Sequence, residues 1–154
     1  MFIAISLACN VAFTQDKSGP DSLYYKVYML DSIWTTGTTK KTALKDSLSY
    51  FEIRGNKVEI CLKTASTETR EKGRVIYWKE SKDENGLMKN SFYISGRGAF
   101  KGSLTVTIKQ IDQHEFEIHM LNAFATFDKR IQARIGEESE IIRPPKKQYK
   151  PGSK

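Results

Sequence analysis

Residues 49–63 read Ser-Tyr-Phe-Glu-Ile-Arg-Gly-Asn-Lys-Val-Glu-Ile-Cys-Leu-Lys, and this stretch restricts the fold more than any other. Gly55-Asn56 is a two-residue link of the kind that tolerates positive φ and joins antiparallel strands. Folding the chain about it sets Ile53 against Val58 and Phe51 against Ile60. Apolar meets apolar, so the register is self-consistent. The other face carries Glu52, Arg54, Lys57 and Glu59, which read as a solvated lattice of exposed, weakly coupled charges.

The same period-2 alternation runs from residue 23 to about residue 121. Residues 23–30 form a strand rich in β-formers, with a short extension at 33–36 and a polar loop at 37–45. Residues 64–72 read as a polar connection. Residues 73–80 and 87–95 make a second hairpin around 81–86. After a glycine-rich bend at 96–102, residues 103–110 and 114–121 make a third. Side-chain faces there suggest Ile108 opposite Phe116, Val106 opposite Ile118, Leu104 opposite Met120 and Lys109 opposite Glu115. Residues 123–131 fit a last strand, while Phe127, Ile131 and Ile135 also fit one face of a short helix ending at Gly136. The result is an all-β chain of about seven or eight strands, an antiparallel meander closing into a small barrel or curved sandwich, with or without one short C-terminal helix. Residues 15–136 constitute a single β-domain.

Several strands are apolar on both faces. Tyr25, Val27 and Met29 share one side of the first strand, and Tyr24, Tyr28 and Leu30 the other. Val75 and Tyr77 back onto Ile76 and Trp78, and Phe92 and Ile94 onto Tyr93. A strand of this kind must be covered on both sides: one face can line a cavity while the other packs on a helix, a loop or a partner. Aromatic residues with a polar tip suit such walls. The candidate pocket wall is Tyr25, Val27, Met29, Tyr77, Trp78 and Phe92, and the ligand it suits is small and apolar or amphipathic. The alternative is an envelope structural or interaction protein that docks a partner through an exposed aromatic sheet face.

Charge is unevenly spread. The chain carries a net +7, of which five charges (Arg143, Lys146, Lys147, Lys150 and Lys154) fall in residues 141–154 with no acid among them, leaving +2 for the rest. The basic balance is therefore a property of the tail and gives no reason to expect nucleic acid as a partner. Arg143, Lys146, Lys147 and Lys150 offer at most a contact to an anionic surface, and residues 137–154 read as a disordered basic tail after Pro144-Pro145. At the other end, residues 1–14 resemble a targeting segment. An apolar run from Phe2 to Ala8 is followed by Ala12 and Thr14, small residues suited to cleavage before Gln15, although no basic residue precedes the run. The run is too short to serve as a transmembrane segment. The expected location is secreted or periplasmic, or, through Cys9 in Ser6-Leu7-Ala8-Cys9, an outer-membrane lipoprotein. Cleavage leaves Cys61 as a lone cysteine, and it reads as a small buried hydrophobe.

Catalytic and cofactor signatures are weak. His114 and His119 are five apart, so on one strand they face opposite sides and do not converge on a metal. Gly96, Gly98 and Gly102 have the wrong spacing for a dinucleotide loop and lead into a strand. No phosphate-loop, Cys-x-x-Cys, His-Glu-x-x-His or Gly-x-Ser-x-Gly pattern occurs. No cofactor is implied. Enzymatic acid-base work would need a pocket around Glu52, Glu59 or Glu117.

Size, the export-like leader and the meander together resemble the lipocalin (calycin) barrels. The resemblance rests on Trp34 in Ser32-Ile33-Trp34, with Ser32 where the family has glycine, and on Arg130 near the end of the last strand. It implies a closed barrel that binds small hydrophobic ligands, with Trp34 and Arg130 as structural closures of the barrel, the arginine packing over the indole.

Overall fold

The computed structural model describes residues 20–21, 23–95 and 102–143. Nine strands follow one another: β1 (Tyr25–Thr35), β2 (Thr42–Ala43), β3 (Tyr50–Arg54), β4 (Lys57–Lys63), β5 (Glu68–Lys82), β6 (Met88–Ser95), β7 (Leu104–Gln110), β8 (Phe116–Asn122) and β9 (Asp128–Gly136). Apart from the two-residue β2, which pairs with β1, each lies antiparallel beside its sequence neighbour. β1 also pairs with β9 over residues 27–35 and 129–136, and this closes an eight-stranded antiparallel barrel. The all-β meander expected from the alternation is thus present. The open question over residues 123–135 resolves as a turn at 123–127 followed by strand β9, and the helical element among the described residues is a single 3-10 turn, Glu138–Glu140.

The first hairpin has the register its sequence dictates, Ile53 opposite Val58 and Phe51 opposite Ile60, with Gly55 at a φ of 57° in the turn. The third hairpin departs from expectation by two residues. Ile108 faces Ile118, Val106 faces Met120, and Lys109 faces Glu117 rather than Glu115. A shift of two leaves every side chain on its own face, so facial matching cannot detect it. The turn decides instead. The Asp112 carboxylate accepts the backbone N–H groups of His114 and Glu115, both at 2.8 Å, and the Ile111 N–H reaches the Glu115 carbonyl at 2.9 Å. Residues 64–72 are also more ordered than their polarity suggests. The turn spans only Thr64 to Thr67, and β5 begins at Glu68.

The barrel interior is packed by Tyr28, Leu30, Phe51, Ile53, Ile60, Phe92, Val106, Ile108, Ile118, Met120 and Ile131, among others. Two irregularities set which residues reach it. The β1–β9 register shifts between Leu30 and Ser32, so Leu30 and Ile33 both face inward. The β5–β6 register shifts between Val75 and Tyr77. This bulge makes Ile76 the extra residue and puts Trp78, not Tyr77, on the inner face with Val75.

A second apolar layer lies outside the wall. Val27, Met29, Tyr50 and Cys61 are buried there, with Tyr25 and Ile141 packed against them. The cover is the chain's own continuation beyond β9. The 3-10 turn folds back, Ile142 N–H bonds to the Ser47 carbonyl at 2.8 Å, and Arg143 donates to Glu52 at 2.6 Å. Residues 137–143, read from sequence as the start of the tail, therefore form a strap over β1, β3 and β4, while 144–154 lie outside the described residues. Gly136 is what allows the reversal. A Cβ there would run into the Met29 side chain and the Glu140 carboxylate. β1 is accordingly covered on both faces, as its two-sided apolar pattern demands.

Candidate functional site

Polar groups occur inside the barrel, and most of them gather at one end. They come from the start of β1, the second half of β5 and the first half of β6. Tyr24 and Tyr28 share the inward register of β1. Beyond the bulge, Trp78 and Glu80 take the inward register of β5, opposite Phe92 and Asn90 of β6. The rings form a chain: Tyr24 lies 5.6 Å from Trp78 between centroids, Trp78 stacks on Phe92 at 6.3 Å, and Phe92 meets Phe51 edge-on at 6.5 Å. Tyr28 is held between Phe51 at 6.2 Å and Phe116 at 5.4 Å.

Four polar atoms of this cluster, Tyr24 Oη, Tyr28 Oη, Trp78 Nε1 and Asn90 Oδ1, are buried with no hydrogen-bond partner among the described residues. Asn90 spends its amide N–H on the Met88 sulfur at 3.3 Å. Buried polar groups are nearly always partnered, because an orphan keeps the full desolvation cost of about 1–3 kcal/mol. Four at one end of one barrel single out that end as the candidate site. Burial, and then the Glu80 carboxylate, pushes the Tyr24 hydroxyl up to about 12. Tyr28 is raised too, by burial first and then by Tyr24 and Glu80. Both phenols are therefore neutral near neutral pH. The site can donate and accept hydrogen bonds and stack against a ring. A fifth orphan, Glu71 Oε2, lies on the inward register of β5 opposite Ile60, away from this cluster.

Of the six wall residues expected from sequence, Trp78 and Phe92 face the interior. Tyr25, Val27 and Met29 lie on the outer face under the strap, because it is the even-numbered residues of β1, not the odd, that point inward before the bulge. Tyr77 is displaced to the exterior by the bulge at Ile76. Tyr24, Tyr28 and Asn90 are the residues that sequence reading left out. Asn90 did carry a signal, as the one polar residue in the alternating series Met88, Asn90, Phe92, Ile94. Trp34 and Arg130 stand opposite each other on the two strands that close the sheet. Both project outward, however. Lys41 lies over the Trp34 ring at 4.4 Å, and Arg130 pairs with Glu117.

The first hairpin's charges are not a solvated lattice. Glu52 and Glu59 are buried, at 7% and 8% exposure. Glu52 accepts from Tyr25 at 2.7 Å and Arg143 at 2.6 Å. Glu59 accepts from Tyr50 at 2.5 Å and from Arg70 at 2.9 and 3.1 Å. Arg54, on the same face of the hairpin, pairs with Glu138 and lies over the Tyr25 ring. Burial pulls the Glu59 carboxyl upward, but the hydrogen bonds from Tyr50 and Arg70 and the charges of Arg70 and Lys72 outweigh it and hold it below its ordinary value. With every hydrogen-bond partner a donor or a cation, this pair of carboxylates fastens the strap. His119 bonds to Asp128 at 2.7 Å on the outer wall, and Asp128 also accepts from Thr36. His114 lies in the β7–β8 turn. Among the described residues no group of His, Cys, Asp and Glu is arranged to hold a metal ion, and no helix is long and apolar enough to cross a membrane. Cys61 is free and buried, and burial raises its thiol. Cys9, Lys146, Lys147 and Lys150 lie outside the described residues.

No family model, curated protein or solved structure matches the chain.

Proposed function

We propose that this barrel is a non-catalytic binding protein that takes a small apolar or amphipathic ligand into the end of its interior bounded by Tyr24, Tyr28, Trp78, Asn90 and Phe92. One observation supports the reading most: four buried polar atoms in an aromatic setting have no partner among the described residues. Binding sites combine apolar walls with a few placed polar groups in this way. The lipocalin-like resemblance points in the same direction. The test is a titration of the protein with a panel of small apolar and amphipathic molecules, following Trp78 emission in a Trp34→Phe background. Saturable shifts support binding. A folded protein whose emission does not respond to any of the panel removes the proposal.

A second reading rests on the outer wall of β5 and β6, where Ile76, Tyr77 and Tyr93 are 49%, 39% and 40% exposed. That face suits an interaction protein of an envelope. Replacing Ile76 and Tyr93 with serine abolishes such docking and leaves ligand titrations unchanged. Export is likewise a proposal drawn from residues 1–14: the mature protein then begins at Gln15, or at a lipidated Cys9, and its intact mass decides between them.

A further inference from the structure

The unpartnered atoms also constrain the chemistry of what they meet. Trp78 Nε1 can only donate. The Tyr24 and Tyr28 hydroxyls donate as readily as they accept, and their raised affinity for the proton keeps them donors. Asn90 offers a lone carbonyl oxygen, with one of its two amide N–H groups engaged by the Met88 sulfur. The site thus presents donors in excess, together with one acceptor.

Three kinds of molecule compete for such a surface. An alkyl chain entering first would cover Trp78 Nε1 and both hydroxyls without pairing them. An anionic head entering first would pair with the donors but would lie among neutral rings (Tyr24, Tyr28, Phe51, Trp78, Phe92 and Phe116) that share their register with the Glu80 carboxylate, which stands opposite Asn90 and acts on both phenols. The cations of that register are Lys26, between Tyr24 and Tyr28 on β1, and Lys82, beyond Glu80 on β5, and neither acts on the phenols as Glu80 does. An anion drawn among the rings loses hydration and meets the charge of Glu80, which costs several kcal/mol. An uncharged oxygen satisfies the donors at no such cost.

We infer that the ligand is an uncharged molecule that leads with a hydrogen-bond acceptor, a carbonyl, ester or hydroxyl oxygen on an apolar or aromatic body. This deepens the binding reading above and rests on it.

The experiment uses three probes of matched shape, 2-acetylnaphthalene, 2-ethylnaphthalene and 2-naphthoate, titrated into the full chain. The readout is the indole N–H resonance of Trp78, identified by its persistence in Trp34→Phe. The expected result is a downfield shift with 2-acetylnaphthalene and binding about ten-fold tighter than either other probe, the equivalent of one buried hydrogen bond. Tyr28→Phe narrows the gap between the ketone and the hydrocarbon. Equal binding of 2-ethylnaphthalene, or binding of 2-naphthoate as tight as the ketone, overturns the inference while leaving the interior as a binding site. If none of the three moves the resonance up to its solubility limit, the binding reading falls with it.

Discussion

Replacing Tyr28 with phenylalanine should make the protein more stable. The ring is wholly buried, at 0% exposure, and is gripped by Phe51 and Phe116. Its hydroxyl has no partner among the described residues. The substitution keeps the ring contacts and removes one oxygen. An unpaired buried hydroxyl costs about 1–3 kcal/mol. Against that stands the small packing loss of one heavy atom, a few contacts worth about 0.1–0.2 kcal/mol each. The net is a gain of about 1 kcal/mol, or about 2–4 °C in Tm for a chain of this size. Urea unfolding followed by far-ultraviolet circular dichroism measures it, with an unchanged m-value showing that the unfolded state is not the cause. A Tyr28→Phe protein less stable than the parent by 0.5 kcal/mol or more, on the order of what an ordinary surface substitution does, would refute the reasoning, because the hydroxyl would then be making a favourable interaction in the free protein. The expected gain in stability at the expense of binding is the usual signature of a group kept for function.

Other predictions concern the strap and the turns. The Glu52–Arg143 contact is short, yet the arginine side chain is 37% exposed, so a double-mutant cycle with Glu52→Gln and Arg143→Met should give a coupling of about 1–2 kcal/mol, below the value for a fully buried pair; a coupling indistinguishable from zero would show that the strap is held by its other contacts, the packing of Ile141, the Ile142–Ser47 backbone bond and the Arg54–Glu138 pair. Glu59 has a folded-state pKa below its ordinary 4.5, so its contribution is complete above that pH and is lost as the pH falls through the folded value; Glu59→Gln should flatten the acid limb of a stability profile, and an unchanged limb would contradict the assignment. Gly136→Ala should destabilise by about 1–3 kcal/mol through overpacking against Met29 and Glu140, read as a fall in Tm. Cross-strand nuclear Overhauser contacts should place Lys109 beside Glu117; contacts to Glu115 in their place would restore the register inferred from sequence.

How far the sequence could be read depended on whether a local feature fixed the geometry. The first hairpin was legible to the residue because its turn has only two residues and admits one register. The third was legible to its faces but not its pairing, since alternation repeats every second residue and a longer turn leaves that slack. The bulges at Asp31 and Ile76 are invisible in an alternation argument, and each reverses the faces of everything beyond it on its strand. That is why alternation sets Tyr77 on the face of Val75, where the structure has Trp78. Glu52 and Glu59 were misjudged for a different reason. Their burial depends on Arg143, more than 80 residues away in sequence, and no local pattern announces that the chain returns to cover them. The interior site shared this difficulty. Its single legible trace was Asn90, a polar residue where alternation calls for an apolar one.

Closing the sheet through β1 and β9 has a consequence for how the chain is made. Among the described strands, the earliest to leave the ribosome is completed by the latest, and residues 27–35 wait for residues 129–136 before their second edge is paired. Contacts so distant in sequence form slowly, and throughout that interval the nascent protein presents a bare, apolar strand edge to its surroundings. Any truncation that stops short of Gly136 makes this interval permanent. Such fragments should accumulate as aggregates instead of as smaller soluble barrels.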